Sequence, residues 1–103
     1  MRVEPNGNRP VKLTTTGATD IVDGASCRLI TQLYVTEIAG GTPSLSVEIY
    51  DGTTSFYVMR SKPMTARSVL TWDEIPLNIN QKLRVTASVA NQVDVFAVVA
   101  ERG

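Results

Sequence analysis

The sequence contains no histidine. The commonest general base and the commonest transition-metal side-chain ligand are therefore missing. Cys27 is the single cysteine, so no disulfide forms within the chain and no cysteine–histidine nucleophile pair exists. It reads as a small apolar residue at the start of a strand. No apolar run approaches the ~20 residues of a membrane-spanning helix, and no membrane partner is expected. No Asn-x-Ser/Thr sequon occurs, and Met1–Pro5 carries no apolar core of signal-peptide length. Synthesis in a cytoplasm is the expectation. Charge of one sign is not in excess: ten basic side chains cancel ten acidic ones. Nucleic-acid binders usually carry a basic surplus, so no nucleic-acid partner is expected. Neutrality also removes the net repulsion that keeps many small proteins apart.

Catalytic motifs are missing as well. There is no Gly-x-Ser-x-Gly elbow, no phosphate-binding loop and no dinucleotide fingerprint. Asp73 and Glu74 are neighbours and point apart if extended. Nothing in one dimension sets a carboxylate pair at the about 5 Å or about 6.5–9.5 Å that glycoside hydrolysis requires. Asp20-x-x-Asp23-Gly24 supplies two oxygen ligands where calcium takes six to eight, and it reads as a turn. The expectation is a protein that is not an enzyme and holds no cofactor and no metal.

What is present is two-residue alternation. In Ser44–Tyr50, Leu45, Val47 and Ile49 point one way, and Ser44, Ser46, Glu48 and Tyr50 the other. Period two marks a strand with one buried face and one wet face. It returns at Val11–Thr16, Cys27–Ile38, Thr54–Arg60, Ser68–Trp72, Lys82–Ala90 and Val93–Ala100. Asp51-Gly52 marks a hairpin turn after Ser44–Tyr50. Asp73–Asn80 alternates too, but Pro76 confines it to an edge or an irregular crossing. Residues 17–26 read as a loop with an apolar interior, Ile21 and Val22. At 103 residues the chain is long enough for one core. Seven or eight strands spaced by about 8–12 residues predict an all-β antiparallel β-sandwich over residues 11–103. Residues 1–10, with two prolines and two asparagines, read as an extended N-terminal arm.

Two strands carry apolar groups on both faces. Cys27–Ile38 sets Leu29, Thr31, Leu33 and Val35 against Ile30, Gln32, Tyr34, Thr36 and Ile38. Val93–Ala100 buries Val93, Val95, Ala97 and Val99 and leaves Phe96 and Val98 on a face too apolar for open water. Tyr34, Tyr50, Tyr57 and Trp72 are further candidates for an interface or a sugar-stacking surface. Tyr50 and Tyr57 flank the hairpin turn as candidate cross-strand neighbours. Arg60, Lys62 and Arg67 form a basic group with no acid between Asp51 and Asp73. It reads either as a solvated loop or as a dock for an acidic patch, such as the Asp20/Asp23 loop of a neighbour.

The C-terminal third, Ile75-Pro76-Leu77 followed by Lys82–Val95 (KLRVTASVANQVDV), resembles small β-sandwich structural proteins of tailed bacteriophages. The upstream SVEIYDGTTSFYV hairpin fits the same pattern, and the resemblance runs over about residues 27–100. It implies a virion component made in a bacterial host cytoplasm: a capsid decoration (cement) subunit, or else a tail or neck accessory protein. A carbohydrate-binding host-attachment module is the alternative from another class. The implied partners are the major capsid protein or other virion subunits, and further copies of the chain, with a homotrimer expected. The implied contacts are Arg2, Val3 and Pro5 in the arm, and Tyr34, Tyr57, Arg60, Lys62, Arg67, Trp72 and Phe96 on the sandwich.

Overall fold

The computed structural model describes residues 6–102, and side chains from Gly7 onward. Eight strands follow in chain order: β1 Asn6–Lys12, β2 Thr19–Asp23, β3 Cys27–Glu37, β4 Ser44–Tyr50, β5 Ser55–Pro63, β6 Val69–Pro76, β7 Lys82–Ala87 and β8 Val93–Glu101. They form two four-stranded antiparallel sheets. The first has the order β1-β8-β3-β6 and the second β2-β7-β4-β5. The β4–β5 hairpin lies at the middle of the chain, and successive pairs wrap outward from it: β3 with β6, β2 with β7, β1 with β8. A two-stranded ribbon rolled up in this way is a jelly-roll sandwich.

The core lies between the sheets. Leu33, Val35, Leu45, Val47, Leu83, Val85, Ala87, Val93, Ala97 and Val99 are wholly removed from water. In β7 the alternation seen in the sequence holds residue for residue, and in β8 it holds from Val93 to Val99, after which Ala100 is buried as well.

Elsewhere bulges redirect it. β3 shifts register twice against β8, between Cys27 and Leu29 and between Ile30 and Gln32. Each extra residue turns the following side chains over. Ile30 therefore joins Cys27, Leu33 and Val35 in the core, while Leu29 is only half-buried. Residues 19–23 form β2 rather than a loop. A register shift between Asp20 and Val22 lets adjacent Ile21 and Val22 both turn inward. The first strand begins at Asn6, not Val11, so residues 6–10 belong to the sheet. Pro10 is accommodated because β1 is an edge strand, where a missing N–H can face solvent. Residues 1–5 of the expected arm lie outside the described residues.

Ser68–Trp72 and Asp73–Asn80 merge into one edge strand, β6. Its irregularity lies at Glu74, whose φ is +50°. Phe56 and Val58 alternate with Ser55, Tyr57 and Met59 along β5, yet they are 55% and 42% exposed. β5 is the outermost strand of its sheet and packs chiefly on β4, so little of the opposite sheet covers it.

The loops at one end are clamped by a carboxylate. Glu37 is buried at the end of β3 and accepts hydrogen bonds from the backbone N–H groups of Ala39, Gly40, Gly41 and Arg67 at 2.8–3.1 Å. These donors hold its acid below the usual glutamate range. The Arg67 N–H has the largest effect, and burial opposes it. One side chain thus ties the β3–β4 loop to the β5–β6 loop.

Candidate protein-contact surface

The outer face of the first sheet is built from three rows of side chains. The middle row runs Pro10–Phe96–Tyr34–Thr71 across β1, β8, β3 and β6. One flanking row is Lys12–Asp94–Thr36–Val69, and the other is Asn8–Val98–Gln32–Asp73. The centre is apolar and the margins are polar. Tyr34 and Phe96 stack at 6.1 Å between ring centroids, tilted by 49°. The Tyr34 hydroxyl donates to Gln32 Oε1 at 2.6 Å. Lys12 Nζ and Asp94 Oδ1 close the margin at 2.7 Å. Phe96 remains 38% exposed beside an open pocket of about 380 Å³ lined by Pro10, Val11, Lys12, Asp94, Val95 and Phe96. An apolar patch rimmed by polar groups is the anatomy of a protein-contact surface.

The second sheet's outer face is different. Arg84 lies over the Tyr50 ring at 3.9 Å and donates from Nε to Asp20 Oδ1 at 2.8 Å. Lys82 Nζ reaches Asp20 Oδ2 at 3.6 Å. Asp20 is thus already paired within its own chain. The Asp23 carboxylate accepts the Ala25 N–H at 2.9 Å, as a turn residue does. The Asp20/Asp23 loop is therefore not a spare acidic patch for a neighbour's basic group.

The structure brings two of the sequence-derived candidates together on the first sheet, Tyr34 and Phe96. It brings Tyr57 and Arg60 together on β5, with the guanidinium 4.8 Å from the ring centroid. Tyr57 stands opposite Glu48 and Tyr50 opposite Ser55, so the two tyrosines are diagonal, not facing, and each takes an arginine instead. Lys62 lies near the end of β5. Arg67 is an exposed loop residue with φ +54° whose guanidinium lies near Gly40. Trp72 is opposite Leu33 and packs against the core from the inward side of β6. Arg2, Val3 and Pro5 lie outside the described residues. Sequence reasoning missed Pro10 and Val69 as members of the outer face. Pro10 was hidden by its place among turn-forming residues, although its spacing from Lys12 and Asn8 puts all three on one side of a strand. Among the described residues no cluster of three or more cysteine, aspartate or glutamate side chains is placed to hold a metal ion.

No protein-family model matches the sequence, and no curated protein matches it. Solved structures do share the fold. A pentameric capsid protein isolated from metagenomic phage sequences superposes over 93% of this chain with a TM-score of 0.54 and 16% identity. This chain spans 60% of that protein's length. A subunit of the disulfide-linked pili that form Bacillus endospore appendages superposes over 98% of this chain and 88% of its own, with a TM-score of 0.58 and 13% identity. At such identities the likeness establishes the fold: the chain is a jelly-roll β-sandwich of the kind found in both.

Proposed function

We propose that this chain is a structural subunit of a phage virion, serving as a capsid decoration protein that stabilises the head by protein–protein contact. The observation that carries this reading is the Pro10–Phe96–Tyr34 row, an apolar stripe at the centre of a sheet face that open water would select to be polar. The jelly roll shared with a phage capsid protein and the resemblance of residues 27–100 to phage sandwich proteins support it. The mechanism is burial of contact area. A stable interface takes roughly 800 Å² per partner, with a few aromatic or arginine anchors. Phe96 and Tyr34 supply the anchors, and the Lys12–Asp94 pair supplies the polar rim. In the sequence, Arg2, Val3 and Pro5 precede the edge strand β1, and this reading assigns them to contact with an adjacent subunit.

The test is electron microscopy of virions carrying the chain, with and without residues 1–5 and with Phe96→Asp. Density on the shell that disappears in both variants, while each variant stays folded, is the expected result. Density at the neck or tail, or none at all, defeats the decoration role.

The pilus subunit offers a second reading, a filament component, because the superposition covers nearly all of both chains. Disulfide linkage as in those pili has no counterpart in this sequence, since its one cysteine, Cys27, is fully buried. Filaments formed by the purified chain in the absence of any virion would favour that reading.

A further inference from the structure

Glu48 departs from the pattern its strand sets. β4 turns Leu45 and Val47 inward, so Glu48 belongs to the outer face of the second sheet, where a carboxylate ordinarily stands in water. It is only 7% exposed. Register supplies the cover. Arg84 of β7 lies opposite it on one side and Tyr57 of β5 on the other, with Tyr50 next along the same face of β4. A carboxylate so enclosed is normally paired. Among the described residues Glu48 has no hydrogen-bond or ion-pair partner. Arg84 turns to the far side instead, donating from Nε to Asp20 Oδ1 at 2.8 Å. Yet no sealed side-chain oxygen lacks a partner among the described residues, so both Glu48 oxygens reach the surface. The stem is covered and the acceptor atoms open between Arg84 and Tyr57.

We propose that this stretch of the second sheet's outer face binds a neutral saccharide. Two vicinal hydroxyls donate to the two Glu48 oxygens, the strongest kind of hydrogen bond a sugar offers. The Arg84 Nη groups, which make no hydrogen bond among the described residues, donate to a further hydroxyl or to the ring oxygen. Tyr57 is 47% exposed and sets its ring against the C–H face of the sugar. Charge selects this occupant. An anion would meet Glu48 at the centre. A cation would meet Arg60 and Arg84, which already lie 4.8 Å and 3.9 Å from the centroids of Tyr57 and Tyr50. An apolar group would leave the carboxylate unpaired. A polyol supplies donors and acceptors and brings no charge. The site uses neither the Phe96 face nor residues 1–5. It stands independently of the virion reading, and absence of the chain from virions would leave it untouched.

The test uses the full chain against immobilised oligosaccharides, neutral and anionic, with a lysine-rich peptide as a third probe. Affinity for the best-bound neutral oligosaccharide is then measured in solution by NMR titration, and folding is monitored by Trp72 fluorescence. Saturable binding of a neutral oligosaccharide is the expected result. Glu48→Gln keeps the shape of the side chain but cannot accept from two hydroxyls through both terminal atoms, and its affinity should fall by roughly tenfold or more. Tyr57→Ala should weaken binding by a similar factor, and Phe96→Asp should leave it unchanged. No binding of any neutral oligosaccharide, a preference for the anionic oligosaccharides or the peptide, or full affinity in folded Glu48→Gln would each overturn the inference.

Discussion

Gly24→Ala should destabilise the domain severely, for a reason visible in atomic distances. Gly24 is buried in the turn between β2 and β3. A Cβ built there would stand 2.0 Å from Asn78 O and 2.6 Å from Gln81 O. Both are backbone atoms, so no flexible side-chain tip can swing aside. The 78–81 loop has to retreat by about 1 Å or more to reach ordinary contact distance, at least 3.4 Å. That loop is held by the Gly24 N–H to Gln81 O bond at 2.7 Å and by the Gln81 N–H to Asn78 O bond at 3.0 Å. Arg102 adds Nε to Gly24 O at 2.6 Å and Nη2 to Leu77 O at 2.8 Å. Losing two or three of these bonds at about 0.5–1.5 kcal/mol each gives roughly 1–4 kcal/mol. Overpacking by itself costs about 1–3 kcal/mol. The expected loss is about 2–4 kcal/mol, a large share of the roughly 5–15 kcal/mol that holds a small domain together. Urea unfolding followed by Trp72 fluorescence should show the midpoint falling by about 1–3 M. Gly17→Ala is the control. Its nearest heavy atom would be 4.0 Å away, and its stability should stay within about 0.5 kcal/mol of wild type. A Gly24→Ala midpoint equal to that control would refute the close approach of the 78–81 backbone.

Other perturbations follow from burial and charge. Leu33→Ala empties a fully enclosed site on a central strand and should cost roughly 3–5 kcal/mol. Phe96→Ala removes a ring that is 38% exposed and should cost the isolated chain only about 1–2 kcal/mol, while weakening assembly far more. Equal losses in the two variants, measured by denaturant unfolding, would contradict the division into core and contact face. Glu37→Gln should destabilise at neutral pH, because a carboxamide cannot accept all four backbone donors with both atoms. The folded-state acid of Glu37 is lowered, so its contribution is fully present above the unfolded value of about 4.3 and fades as pH falls through the lower folded value. The stability gap between Glu37→Gln and wild type should therefore narrow in acid, and a gap constant from pH 7 to pH 3 would show that the clamp does not work by charge. Asp51, lowered chiefly by the Thr54 N–H and then by Thr53, adds to the same acid-side loss.

The strands that could be read from the sequence are those that carry no inserted residue of their own. In β7 and β8 every second residue is enclosed, and the pattern Leu83, Val85, Ala87 and Val93, Val95, Ala97, Val99 is the pattern of the core. Bulges defeat this logic because they add a residue that a period-two template counts as a change of face. That is why strict alternation sets Ile30 on the face opposite Leu33 and Val35 and shows no strand at β2. In β2, adjacent Ile21 and Val22 look like a loop's apolar interior unless the shift beside Asp20 is known. β5 carries inserted residues too, with register shifts against β4 on both sides of Val47, and a second reason adds to them. Alternation reports which side of a strand is apolar, but it carries no information on whether the opposite sheet extends far enough to cover it. The contact face was half legible. Phe96 and Tyr34 were suspect on opposite strands, yet only register makes them neighbours and adds Pro10 beside them. The Glu37 clamp left no pattern to find, because its four donors are backbone atoms from two loops far apart in the chain.

In the rolled ribbon Asn6 lies directly across from Ala100, while the midpoint of the chain turns at Asp51–Thr54. A chain cut back to Asn6 and Glu101 would start and finish at neighbouring points of one rim, and a few residues of glycine-rich tether suffice to join them. The gene could then be reopened at Gly52, where a Cβ would meet nothing within 4 Å, to display cargo from the second sheet at that same end of the sandwich.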